Sequence, residues 1–182
     1  KKTKEHQIKG ILIEDDKKAA DRYKAKVLKR SIHPLQQDNA ICVKNAFFQF
    51  MIGNIDFSIA KRHNAKLLYV DKKIIPIPYD FDICGLVNPS YEEVTQDPNN
   101  KFNFTSITQR RFRGLKRDPD LYEQVRQEFL NNKTTLIAIV ESFESEFEIK
   151  SEYTKAKNYI ASFFKILSNE KKFKKEILDQ MR

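Results

Sequence analysis

Oxygen-bearing side chains gather in one stretch of this chain, residues 54–82. Asn54-Ile55-Asp56 is followed by Arg62-His63-Asn64 and, after two short apolar runs, by Pro78-Tyr79-Asp80-Phe81-Asp82. Three carboxylates and two asparagines in this order can hold Mg²⁺ and still keep one carboxylate off the metal. Mg²⁺ takes one or two protein carboxylates and completes its octahedron with phosphate and water. Asn64 and Asp80 are the expected metal ligands, with Asp82 beside them for a second ion. Asp56 is the expected base, placed to take a proton from a substrate hydroxyl. Such a set suits phosphoryl transfer, in which the protein mainly positions groups and stabilises charge. An Asp-x-Asp after a strand also suits a metal carrying a nucleotide-sugar diphosphate.

Each of these residues has an ordinary alternative. Asn and Asp are common in loops because their side chains bond to nearby backbone. His63 can contact a phosphate or tie a loop to its own backbone. What sets the group apart is its order around a hairpin. A second cluster, Gln109-Arg110-Arg111-Phe112-Arg113-Gly114, is densely basic. Guanidinium matches phosphate and carboxylate bidentately, so Arg110, Arg111 and Arg113 are expected to bind substrate or phosphate. The alternative is pairing within the chain, with Asp118, Asp120 or Glu123.

The elements that must position these groups can be read from pattern. Residues 8–13 read as a strand and residues 16–30 as a helix, broken by His33-Pro34. Asp38 is a suitable N-cap for a helix over 39–52. The apolar residues of that helix cover nearly its whole circumference, so it should be the buried core helix, ending at Gly53. Residues 65–70 and 74–78 read as a hairpin, with Pro76 and Pro78 confining the second strand to an edge. The hairpin brings Asn64 and Asp80 together. Residues 83–104 look irregular. Helices follow at about 105–113, 118–131, 134–148, 151–168 and 170–181, with Asp118-Pro119 as cap and first helical residue. The expected class is mainly α (α+β).

This order resembles the C-terminal lobe of protein-kinase-like proteins, closest to the HipA-type and CotH-type atypical kinases. Gly53-Asn54-Ile55-Asp56 with the later Asn64 resembles their catalytic loop, and Tyr79-Asp80-Phe81 resembles their metal aspartate after a strand. The stretch Phe50–Asn54, His63-Asn64, Ile77–Asp82, Gly85–Val87 and Arg113-Gly114 also resembles an uncharacterised bacterial group. The resemblance implies Asp56 as catalytic base, Asn64 and Asp80 as metal ligands, and Mg²⁺ with ATP or GTP as cofactors. It implies Glu14, Asp15 and His63 on the nucleotide side. The chain departs from ordinary kinases in three places. Asn64 follows Asp56 by 64 − 56 = 8 residues rather than five, so the loop should be longer or bulged. Asp80-Phe81-Asp82 stands where Asp-Phe-Gly is usual. There is no Gly-rich loop, and glycines occur only at 10, 53, 85 and 114. Residues 1–15 are therefore expected to be a hinge strand from an upstream N-terminal lobe, and residues 16–182 the helical lobe.

Composition bounds the rest. A chain of 182 residues suits one domain, and 40% hydrophobic content can fill a core. Lys and Arg exceed Asp and Glu by 34 − 25 = 9. That balance favours anionic partners: nucleotide, an acidic or protein acceptor, or nucleic acid. A non-catalytic kinase-like or helical module that binds such a partner is the alternative function. No run of about 18 apolar residues is present, so no membrane partner is expected. Cys42 and Cys84 lack metal-ligand spacing, which points to a reducing compartment and a cytoplasmic location.

Overall fold

A computed structural model of the chain describes residues 4–5, 13–89 and 105–182. Its centre is helix α2, Asn39–Ile52, whose N-cap Asp38 accepts a hydrogen bond from Ile41 N. Nine of its residues are buried, more than in any other described helix. Phe47 is wholly buried, and its ring meets those of Phe112, Tyr122, Phe129 and Phe173. Those rings come from three different segments, so α2 is the common core surface of the molecule. The expected central core helix is present within its expected bounds.

Two helices, α3 (Pro119–Asn131) and α5 (Lys150–Leu167), pack on α2; α4 (Lys133–Ser142) and α6 (Glu170–Glu176) pack on α5, and α6 reaches α2 through Phe173 against Phe47. Asp118 caps α3 through Asp120 N, and Pro119 occupies the first turn as the sequence requires. The helix expected to reach residue 148 stops at Ser142, and a 3-10 turn follows at Glu144–Glu146. The last helix also ends early, at Glu176, before a 3-10 turn at Leu178–Gln180.

A three-stranded antiparallel sheet of order β1-β2-β3 covers the other end of α2. Strand β2 is Ala65–Val70 and β3 is Lys73–Pro78. They are joined by Asp71 and Lys72, both in the left-handed region at φ 50° and 62°. Two consecutive positive φ values match the right-handed twist of a tight hairpin. β3 is an edge strand, as its prolines demand, and its Ile74 carbonyl accepts Asp38 N at 2.8 Å.

Strand β1, Lys26–Leu28, was not expected. The sequence suggests a helix over 16–30, but α1 spans only Asp16–Arg22. Lys24 then turns the chain at φ 50°, and Lys26–Leu28 pair with Leu67–Tyr69 of β2. A free sheet edge offers backbone bonds that helical periodicity cannot reveal, and β-branched Val27 suits the strand. The helix expected at about 105–113 is likewise absent; that segment opens with a turn closed by Gln109 N on Ser106 O and is otherwise irregular. It threads Phe112 into the core beside Phe47, Phe50 and Tyr122. The strand expected over residues 8–13 lies almost wholly outside the described residues; Ile13 is exposed and in no strand. Residues 90–104 of the irregular segment also lie outside them.

Candidate functional site

The site begins where α2 ends. Gly53 sits at φ 65°, with Gly53 N bonded to Phe50 O and Asn54 N to Gln49 O. This is a Schellman stop, and only a glycine takes its left-handed position without strain. The other terminal carbonyls are satisfied as well. Leu86 N reaches Ile52 O at 2.9 Å, and Arg110 donates to Phe50 O and Met51 O. Gly85 N bonds Gly53 O at 3.0 Å, so the turn after the hairpin is tied to the start of the loop. Asn54 leaves this stop buried, with Oδ1 accepting Asp56 N at 2.8 Å.

Asp56 is the hub. Its Oδ1 meets His63 Nε2 at 2.7 Å, and its Oδ2 accepts from Asn64 Nδ2 at 2.9 Å. The same Asn64 amide donates to Asp56 O at 2.8 Å. The eight-residue separation is absorbed by a pinch: Ser58 N–His63 O and His63 N–Ser58 O, both 2.9 Å, close residues 58–63 into a small loop. The excess residues bulge away, and positions 56 and 64 end side by side. Arg62 ties the bulge down by donating to Lys29 O. Arg113 supports the near side, with Nη1 on Ile55 O at 2.9 Å and its guanidinium over the Phe57 ring.

Asp80 lies across the hairpin from Asn64, just past Tyr79, whose N bonds Asn64 O. Asn64 and Asp80 are both left-handed, at φ 50° and 63°. Asn and Asp tolerate this region better than other side chains, and such backbone concentrates at functional sites. Desolvation raises the Asp80 carboxyl above its ordinary range. A hydrogen bond with Asp82 and the charges of Asp82 and Asp56 push the same way, while His63 opposes them. Asp82 also accepts Ile83 N at 2.8 Å. Asp56, Asp80, Asp82 and His63 therefore share one electrostatic neighbourhood. Asp56 keeps 39% of its side chain exposed and His63 58%, so the face is open to an incoming group.

Among the described residues, no cluster of three or more His, Cys, Asp or Glu side chains is arranged to hold a metal. The donor set still fits Mg²⁺, which needs only one or two carboxylates, and here crowded carboxylates stand beside a buried asparagine.

Several expected site residues have other occupations. The correction is sharpest for Arg110, expected to bind phosphate. Its guanidinium donates to Phe50 O, Met51 O, Tyr159 O and Ser162 Oγ, and stacks 3.6 Å over the Tyr159 ring. It joins the ends of α2 and α5 from inside. Arg113 faces Asp56 but also holds the loop backbone; Arg111 contributes positive charge beside Arg113 and Arg182. Glu14 pairs with Arg22 at 2.5 Å, and Asp15 caps α1 through Lys17 N and Lys18 N, so their carboxylates build a helix start rather than face a nucleotide. The His63 ring bonds the Asp56 carboxylate rather than loop backbone. Asn54 and Tyr159 had no assigned role. The Gly53-Asn54 pair was the one local signal for Asn54; nothing local announces Tyr159.

Comparison with family models, with curated proteins and with solved structures returned no match to this chain.

Proposed function

We propose that the chain carries the carboxylate half of a Mg²⁺-dependent nucleotide phosphotransferase of the kinase-like kind. The observation that carries this reading is Asp56, held on both carboxylate oxygens by His63 and Asn64 and on its backbone by Asn54, with Asp80 and Asp82 alongside. A base must be fixed in orientation yet reachable, and Asp56 is both. The acceptor hydroxyl docks on its exposed side and gives its proton to the carboxylate as the phosphoryl group arrives. His63 and Asn64 keep the carboxylate from rotating. Asn64, Asp80 and Asp82 would hold Mg²⁺ with ATP or GTP on their side of the hairpin. Bound Mg²⁺ supplies charge neutralisation at the phosphate oxygens. Glu14, Asp15 and Arg110 have no part in the proposal.

The net charge of +9 favours a second reading, a non-catalytic module that binds an anionic partner such as nucleic acid. One experiment separates the two. Titrating the protein with Mg²⁺–ATP and Mg²⁺–GTP should give saturable binding that needs the metal and is lost in Asp80→Ala. Nucleotide binding that is absent, or indifferent to Mg²⁺ and to Asp80→Ala, would sink the phosphotransfer reading. Salt-sensitive nucleic-acid binding in its place would favour the module.

A further inference from the structure

The outer edge of the sheet carries basic residues that the hairpin site does not use. Between Asp21 and Asp38 the chain holds Arg22, Lys24, Lys26, Lys29 and Arg30 and no acid. All five are exposed. Arg22 is answered by Glu14 at 2.5 Å; the other four run along β1, the outer strand of the sheet. At about 3.3 Å per residue, Lys24 to Arg30 spans roughly 20 Å. The register fixes where the run lies. Lys26 is across from Tyr69, two residues from the Asp71-Lys72 turn. At the other end Arg62 donates to Lys29 O, so the run reaches the bulge beside His63. Two aromatic rings stand open in the same place: Tyr23 is 55% exposed and Tyr69 41%. Directly opposed residues of an antiparallel pair project from one face, so Lys26 and the Tyr69 ring stand together. Lysine on an edge strand guards it against pairing with another strand. That use accounts for Lys26, which lies in the ladder. It does not account for Lys24, Lys29 and Arg30 outside the ladder, nor for two tyrosine rings beside them.

We propose that the β1 edge binds single-stranded nucleic acid. Cations strung along an edge neutralise successive phosphates, and open aromatic rings stack unpaired bases. Together they hold a single strand without reading its sequence. The length of the run suits roughly four nucleotides, the short end of such sites. A duplex hides its base faces, so it would gain from the cations but not from Tyr23 and Tyr69. An acidic peptide or an anionic membrane would likewise use the charges alone. The site rests on where these residues lie rather than on net charge, and it does not depend on phosphotransfer at Asp56.

The test is fluorescence anisotropy of labelled oligothymidine and oligouridine, each of about 12 nucleotides, titrated with the full chain at about 50 and 200 mM salt. Saturable binding that weakens as salt rises is expected. Lys26→Gln combined with Arg30→Gln should weaken it and reduce the log–log salt slope by about 1.4, since each phosphate contact on a single strand contributes about 0.7. Tyr69→Leu should weaken it by about fivefold or more with the salt slope unchanged, and Tyr69→Phe should restore it. Should Tyr69→Leu prove unfolded by circular dichroism, Tyr23→Leu decides the stacking arm. Asp80→Ala and removal of Mg²⁺ should leave binding unchanged, which separates this site from the proposed nucleotide site. Tighter binding of oligouridine would assign the site to RNA, and equal or tighter binding of oligothymidine would extend it to DNA; both outcomes support it. Absence of saturable binding, or full-strength binding in the lysine–arginine or the tyrosine variants, overturns the proposal. So does a duplex, polyglutamate or phosphatidylserine vesicles binding as well as the single strand, or loss of binding in Asp80→Ala.

Discussion

Two amide side chains and one imidazole fix Asp56, and each is replaceable, so its role can be tested residue by residue. Asp56→Asn keeps the shape but cannot accept the acceptor's proton. Phosphotransfer should fall by about 10²–10⁴-fold, the usual contribution of a general base, with Mg²⁺–nucleotide affinity nearly unchanged. A turnover assay beside a binding titration checks this; equal activity in mutant and parent removes Asp56 from the mechanism. Arg110 offers the opposite test. Arg110→Met keeps much of the stem but takes the guanidinium away from the Met51 carbonyl, while the Ser162 hydroxyl still bonds Tyr159 O at 2.7 Å. A buried unsatisfied group costs about 1–3 kcal/mol, so urea denaturation should show a loss of about 1–3 kcal/mol. A loss below half a kcal/mol would show that the guanidinium is not holding α2 to α5.

At the scale of elements, caps and glycines decide where the site sits. Asp38 closes the N-terminus of α2, with Lys73 at 3.2 Å, and only 12% of its side chain is exposed. Desolvation raises its carboxyl, but the bonds from Ile41 N and Lys73 outweigh it, and the net shift is downward. A folded pKa below the unfolded one means that the stabilisation is present above about pH 3.9, the unfolded value. It is lost as pH falls through the lower folded pKa. Asp38→Ala should cost about 1 kcal/mol at neutral pH. Denaturation midpoints of parent and variant should converge as the pH drops below about 4. Gly85 is the second element-level test. A methyl there would lie 2.3 Å from the Tyr159 hydroxyl oxygen and 3.0 Å from Ile107 O. Tyr159 is fixed by Arg110 and by its own bond to Thr108 O, so it has little room to move. Gly85→Ala should cost about 1–3 kcal/mol by overpacking and loosen the turn that sets Asp80. Unchanged thermal unfolding would show that Tyr159 yields easily.

The whole molecule is organised around one ring, Phe47, which touches the 112 segment, α3 and α6 at once. Phe47→Ala should cost about 3–5 kcal/mol. Because the same core fixes the C-terminus of α2, nucleotide binding should weaken with it, to be read by denaturant titration and binding on one sample. Among the described residues no helix is long and apolar enough to cross a membrane. The basic surplus of the chain is partly internal: Arg110 and Arg126 direct their charge at helix carbonyls, with Arg126 bonding Leu167 O at 2.8 Å. Net charge alone therefore overstates the basic surface offered to a partner.

What the sequence determined was local or periodic. The all-round apolar pattern of 39–52 with Asp38 before it and Gly53 after it fixes a buried helix and its two ends. The two short apolar runs and the prolines of 65–78 point to a hairpin with an edge strand, and so bring residues 64 and 80 to the same end. Asp56, His63 and Asn64 were legible as chemistry-bearing residues for that reason. Tertiary structure decided everything that depends on partners distant in the chain. Val27 carries no mark of the sheet edge that turns a helical pattern into β1. Arg110 reads as an anion binder until the carbonyls of α2 and α5, about 50–60 residues away in sequence, claim its donors. The Ser58–His63 pinch that sets Asn64 against Asp56 rests on backbone bonds available to any sequence, so no residue type announces it.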